Sequence, residues 1–166
     1  MSIEFRTAAT SDAPALTALV NFAYRVEDFF KAGDRTDEAE IHDHLERGHF
    51  LLAEDGGSLR GCVFVELKRP RGYFGMLSVH PDGQGEGLGR GLVSAAEAFA
   101  RERGCTEMDL SVASPRVELP GIYEKLGYHQ YGTAPWDTAR AESELSQPAH
   151  FILMTRTIAA PPEPRD

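Results

Sequence analysis

Apolar residues along this chain switch repeatedly between the two-residue period of strands and the three-to-four-residue period of helices. "IEFRTAA" (residues 3–9) alternates as a short strand. "SDAPALTALVNFAY" (11–24) follows as a helix, with Ser11 or Asp12 as N-cap, Pro14 in the first turn, and Leu16, Leu19, Val20 and Ala23 on one face. "TDEAEIHDHLERG" (36–48) predicts a second helix closed by Gly48. A meander comes next. "HFLLAED", "LRGCVFVELKR" and "YFGMLSVH" are strand-like runs separated by turns at Gly56-Gly57 and around residues 70–72. Residues 88–103 place Leu88, Leu92, Ala96, Phe99 and Ala100 on one helical face, with Glu97 and Arg101 expected as a solvated i,i+4 pair on the other. "EMDLSVAS", the short helix "ELPGIYEKLG", "YHQYG" and "HFILMTRTI" complete the pattern, and no repeat or second core is evident. Strand–helix alternation of this kind predicts a single α/β domain.

Composition removes several classes of function. The 166 residues suffice for one ordinary domain, and no apolar run nears the ~20 residues a membrane helix needs. "MSIEFRTAAT" lacks a basic segment followed by an apolar one, so no signal peptide is expected. The net charge of −9, without a basic cluster, argues against nucleic acid as a partner. Cys62 and Cys105 lack metal-ligand spacing and read as reduced, buried thiols of a cytoplasmic protein. His42, His44 and His49 do not share a helical face, and no metal site is expected. The tail "AAPPEPRD" (159–166) has the composition of a disordered terminus.

The most informative stretch is "VHPDGQGEGLGRGLV", with glycine at 83, 85, 87, 89 and 91. Each glycine weakens a helix by about 1 kcal/mol relative to alanine. A strand–glycine loop–helix order presents unpaired N–H groups and the positive end of a helix dipole, and glycines let a bulky anion approach without meeting a Cβ. Phosphate is the natural ligand. The dinucleotide fingerprint G-x-G-x-x-G fails in every register, and the P-loop Gly-Lys pair is missing.

Gln84-x-x-Gly87-x-Gly89 instead resembles the coenzyme A pyrophosphate loop of the GNAT superfamily of N-acetyltransferases. Val79-x-Pro81 upstream and "GIYEKLGY" downstream extend the resemblance over nearly the whole chain. It implies an acetyltransferase domain over residues 1–158, with a mixed central sheet of about seven strands, helices on both faces, and a bulged, splayed fourth strand. Gly75, inside "YFGMLSV", independently suggests an irregular strand or a close backbone approach. By resemblance, Leu77, Ser78 and Val79 offer backbone to pantetheine and the acetyl group. Gln84, Gly85, Glu86, Gly87, Leu88, Gly89 and Arg90 wrap the pyrophosphate of acetyl-CoA. Glu86 departs from the usual basic residue, and is expected to point to solvent with Arg90 compensating. The asparagine that many members carry before the short helix is replaced by "SPRVELPGIY", as in a subgroup with an Arg-x-Glu-Leu segment.

The resemblance makes Tyr123 the general acid that protonates the leaving thiolate, although Leu119, Ile122 and Leu126 also mark a packing face there. "YFGMLSV" carries no carboxylate, so the general base falls to Glu66, His80, Glu27 or Asp28, with Glu66 put first. The acceptor is expected opposite the cofactor, beneath "RVEDFFKAGDRT" and the long connection "TAPWDTARAESELSQPA", which carries Trp136. Arg25, Arg35 and Arg116 together suit a carboxylate on that acceptor. The function implied is direct acetyl transfer, in a ternary complex, to a primary amine of a small molecule or peptide. Homodimers are frequent in the superfamily, which makes one an expectation by analogy. A non-catalytic acyl-CoA-binding or sensing module is the alternative, and an unrelated nucleotide-binding protein a third.

Overall fold

The computed structural model describes residues 2–83 and 85–158; Gln84 and the tail 159–166 lie outside the described residues. Twelve elements follow in order: β1 (Ile3–Thr7), α1 (Ala13–Ala23), α2 (Glu38–Arg47), β2 (His49–Asp55), β3 (Ser58–Lys68), β4 (Arg71–Val79), α3 (Leu88–Glu102), β5 (Glu107–Ala113), α4 (Leu119–Lys125), β6 (His129–Pro135), α5 (Thr138–Glu144) and β7 (His150–Thr157). The seven strands form one mixed sheet in the order β1-β2-β3-β4-β5-β7-β6. Every neighbouring pair is antiparallel except β4 and β5.

Side chains of β2 and β3 feed two cores, one on each face of the sheet. Phe50, Leu52, Cys62 and Phe64 pack under α1 and α2 with Leu16, Val20 and Ile41. Leu51, Ala53, Val63 and Val65 pack under α3 with Leu92, Val93, Ala96 and Phe99. This two-sided burial explains why these strands read as nearly unbroken apolar runs. Asp37 caps α2, its carboxylate accepting the Glu40 N–H at 2.8 Å, and the chain leaves the helix at Gly48. Asp12 occupies the N-cap position of α1, yet its carboxylate bonds Arg6 and the Ala9 N–H instead of the helix. No helix among the described residues is long and apolar enough to cross a membrane.

Two expectations about helix faces fail. Glu97 is only 7% exposed rather than solvated. Tyr128 Oη donates to its Oε2 at 2.7 Å and Arg156 Nη1 lies 3.3 Å from the same atom. These partners come from beyond α4 and from β7, so local periodicity could not reveal them. Ile122 is 50% exposed, because the seven-residue α4 turns only Tyr123 fully inward.

β4 supplies the irregularity on which the site depends. Cys62 pairs with Ser78, but Phe64, two residues on, pairs with Gly75, so β4 carries an extra residue. Met76 sits at the insertion with φ +49°, a left-handed conformation uncommon outside glycine. The strand changes phase there: Phe74 and Leu77, three residues apart, pack toward the same core, while Met76 enters the other. The displaced Met76 carbonyl accepts the Ser78 hydroxyl at 3.0 Å. Beyond this point β4 cannot follow β5. The two strands pair only over residues 71–73 and 107–109, and then part.

Candidate active site

The divergence of β4 from β5 opens a cleft of about 510 Å³ through the sheet. Its walls are Phe74 to Leu77 and Val79 on one side and Leu110 to Ala113 on the other, so apolar side chains meet strand backbone left without a sheet partner. Tyr73 folds back along β4 until its hydroxyl stands 3.4 Å from Ser111 Oγ, bridging the two strands where they separate. A Cβ at Gly75 would fall 2.9 Å from that hydroxyl, which gives the interior glycine its reason.

At one end the lining of the cleft reaches Val79, from which the chain runs on into the glycine loop. Gly85 and Gly87 have φ of +87° and +77°, and a Cβ on either would meet nothing within 4 Å. Backbone handedness, rather than crowding by the protein, therefore demands glycine at these two positions. Gly87 is the N-cap of α3 and makes no side-chain cap, which leaves the first-turn amides of Leu88, Gly89 and Arg90 facing outward without helical partners. Gly85, Glu86, Gly87 and Arg90 are exposed. The turn is thus open and cationic in its dipole, as an anion site requires. Leu77 and Val79 line the cleft, whereas the Ser78 side chain is buried on the far side with Met76, so only its backbone can serve a ligand.

Tyr123 reaches the middle of the cleft from α4. Its ring packs against Phe74 and Tyr128 at centroid distances of 6.0 and 6.1 Å, and its hydroxyl has no hydrogen-bond partner among the described residues. Burial pushes this phenol up to about 12, with the Arg116 charge opposing, so it keeps its proton at neutral pH. Tyr123 thus both packs in the core and lines the cleft.

The opposite end is built by the connection between α1 and α2 and by the segment holding α5. Trp136 stacks on Phe151 at 4.6 Å and meets Phe30 edge-on at 6.3 Å. Glu27, 8% exposed, lines this end and accepts a hydrogen bond from Arg116 at 3.0 Å. Arg116 also donates to Glu118 at 2.6 Å. Burial disfavours the Arg116 charge, but these two carboxylates outweigh it and raise the group, while Arg116 in turn holds Glu118 below the usual carboxylate range.

The three arginines expected to converge on a carboxylate do not. Arg116 is occupied by its two glutamates. Arg25 is exposed, its guanidinium 5.5 Å from the Phe22 ring centroid, and lines a neighbouring hollow of about 310 Å³ rather than the cleft. Arg35 does line the cleft. Glu66 stands opposite Tyr73 in the β3–β4 register but does not line the cleft. Asp28 lines only the neighbouring hollow, and His80 stacks on Phe22 at 6.1 Å outside the cleft. Glu27 is the one carboxylate among those candidates that the fold delivers to the cleft. Sequence reasoning missed Tyr24 and Lys31, both lining residues. The apolar pair Phe29-Phe30 before Lys31 was the available signal for an inward-turned segment, although only Phe30 turns in.

A splayed parallel pair, a bulged strand and an open glycine turn define the class of protein to which the comparisons point. The family model described as the acetyltransferase (GNAT) family matches residues 14–128, and the chain belongs to that family. An acetyltransferase of Yersinia enterocolitica is 36% identical over 84 residues, which cover 51% of this chain and 60% of the relative. One from Pectobacterium atrosepticum is 38% identical over 79 residues, covering 48% and 56%. The chain thus matches less than two-thirds of the length of these curated relatives. Among solved structures, the ribosomal-protein-S18-alanine N-acetyltransferase of Escherichia coli superposes with a TM-score of 0.76 at 18% identity, over 99% of both chains. A Salmonella typhimurium protein solved with its cofactor acetyl-CoA gives 0.71 at 20% identity, again over 99% of both. At such identities the likeness is one of fold.

Proposed function

We propose that this protein is an acetyl-CoA-dependent N-acetyltransferase that passes the acetyl group directly to a primary amine. The observation that carries the reading is the parting of β4 from β5 beside an open, left-handed glycine turn. That arrangement suits a long ligand with a diphosphate at one end and an amide-rich arm running along unpaired strand backbone. Acetyl-CoA supplies the activated thioester carbonyl.

The amine nitrogen bonds to the carbonyl carbon, the carbon–sulfur bond breaks, and the nitrogen loses a proton. Backbone N–H groups of Leu77 and Val79, on the free edge of β4, suit the carbonyl oxygen as negative charge develops on it. Tyr123 offers its hydroxyl proton to the departing sulfur. Glu27, bound to Arg116 through Oε2 alone, offers Oε1 to the incoming ammonium and receives its proton, directly or through water. Both cysteines are free and buried, and burial pushes the Cys62 thiol up to about 12, which leaves neither suited to carry the acyl group covalently.

Thiol release from acetyl-CoA, measured against a library of primary amines, tests this reading. Amine-dependent release with stoichiometric acetylated product supports it. Tight acetyl-CoA binding without release for any amine would instead make the protein a sensing module.

A further inference from the structure

The acceptor end of the cleft is roofed. The connection between α1 and α2 and the segment carrying α5 are tied by an antiparallel bridge between Lys31 and Leu145. Ala32 N–H donates to the Glu144 carbonyl at 2.7 Å, and Ser146 N–H donates to that of Phe30 at 3.0 Å. An extended polypeptide needs an open groove between these segments, and the bridge closes it.

Under the roof stands an unneutralised cation. Lys31 is 8% exposed and lines the cleft, yet no carboxylate lies within ion-pairing distance among the described residues. The nearby acids are committed elsewhere: Glu27 to Arg116, and Glu144 to Arg140 and to the Trp136 indole. Arg35 faces the same space, 5.3 Å over the Tyr24 ring, with a single 3.4 Å contact to Glu40. Burial and the neighbouring Arg35 charge lower the Lys31 ammonium, with Glu144 and Glu27 opposing from beyond ion-pairing distance. Keeping two cations together in a partly dry pocket is costly until an anion binds between them.

Resting on the acetyl-transfer reading above, we propose that the acceptor is a small amine bearing a carboxylate, which Lys31 and Arg35 hold beneath the bridged roof. Glu27 and Lys31 lie one helical turn apart, the Lys31 N–H donating to the Glu27 carbonyl at 3.0 Å. One wall therefore presents a carboxylate for the ammonium and a cation for the carboxylate, one turn apart. Arg116 is excluded from this role by its two glutamates, so the carboxylate site uses a different pair of cations from the arginine cluster suggested by sequence.

The test uses the full chain and acetyl-CoA with matched sets of acceptors: α-, β- and γ-amino acids, their amides, the corresponding decarboxylated amines, and tripeptides. The expected result is that at least one acid exceeds its amide, its decarboxylated partner and the tripeptides by at least about 30-fold in kcat/KM. Lys31→Met erases that preference while Lys31→Arg keeps part of it, with thermal melts confirming that both fold. Equal or better turnover of amides, decarboxylated amines or tripeptides overturns the inference, as does full preference retained in Lys31→Met. So does failure to acetylate any acid by a chain that binds acetyl-CoA. Loss of acetyl-CoA binding by the unaltered protein overturns the transferase reading itself.

Discussion

Replacing Tyr123 by phenylalanine separates chemistry from packing, because only the hydroxyl leaves while the ring keeps its contacts with Phe74 and Tyr128. The phenol sits at about 12, and a free alkyl thiol at about 8.5. Complete proton transfer to a free thiolate would then be uphill by roughly 5 kcal/mol, at about 1.4 kcal/mol per pK unit. Tyr123 is therefore expected to act as a hydrogen-bond donor to sulfur while charge accumulates, with the proton passing late. Removing one such preorganised donor costs about 10²–10³ in kcat. The hydroxyl has no partner to abandon among the described residues, so Tyr123→Phe should leave the melting temperature unchanged or slightly higher. The assay is steady-state thiol release at saturating acetyl-CoA, paired with a thermal melt and a cofactor titration. The pH profile adds a second check. A group near 12 loses its proton only at very high pH, so no loss of activity below about pH 10 should trace to Tyr123. Two results would refute the reasoning: kcat within about threefold of the unaltered protein, or an alkaline limb near pH 10 that vanishes in the variant.

The glycine turn yields a contrast within one loop. Gly87→Ala forces a left-handed alanine and should cost about 1–2 kcal/mol of stability, visible in denaturant titration. Gly89→Ala adds a Cβ that meets Val79 at an ordinary 3.8 Å, so it should fold at least as well yet weaken CoA binding by calorimetry; unchanged affinity would mean that no ligand approaches there. Tyr128→Phe removes a buried hydrogen bond to Glu97, worth about 2 kcal/mol, and should lower the melting temperature by about 4–8 °C; a shift under 1 °C contradicts it. Asp12 is held below its usual value by its hydrogen bond to Arg6, so its contribution to stability is present above about pH 4 and is lost as pH falls through the lowered value. Asp12→Asn should flatten the acid limb of stability measured by urea titration between pH 6 and pH 3, and an unchanged limb would place the sensitivity elsewhere.

Local signals carried most of the fold into the sequence. Period, caps and glycine punctuation place β1 to β5 and α1 to α3 within a few residues of where they lie, because each element's pattern answers to its own neighbours. The long connection before β7, which carries Trp136, holds the short helix α5. β6 runs three residues further than "YHQYG" suggests, since Thr133 to Pro135 pair with β7, a partner distant in sequence. Glu97 and Ile122 fail for the same reason. A helical wheel reports amphipathicity, but the fate of one glutamate was decided by Tyr128 and Arg156, 31 and 59 residues away.

The two halves of the site differ in legibility for a physical reason. Binding a diphosphate takes backbone amides at a left-handed turn, and only glycine takes up such conformations freely, so the demand leaves its mark in the letters at positions 85 and 87. Recognising an acceptor takes side-chain charges whose freedom depends on who has already neutralised them. Arg116 and Lys31 look alike in sequence as cations within acceptor-facing segments. In the fold, Arg116 is saturated by Glu27 and Glu118, while Lys31, one turn after Glu27, is left without an acid because Glu144 has gone to Arg140. Of those pairings only Arg116–Glu27 joins distant segments; Arg116–Glu118 is a contact two residues apart ahead of α4, and Arg140–Glu144 an i,i+4 contact within α5. Among the described residues, Lys31 is what this sorting leaves over, and the proposal that it and Arg35 hold a substrate anion comes from the folded arrangement, not from the letters.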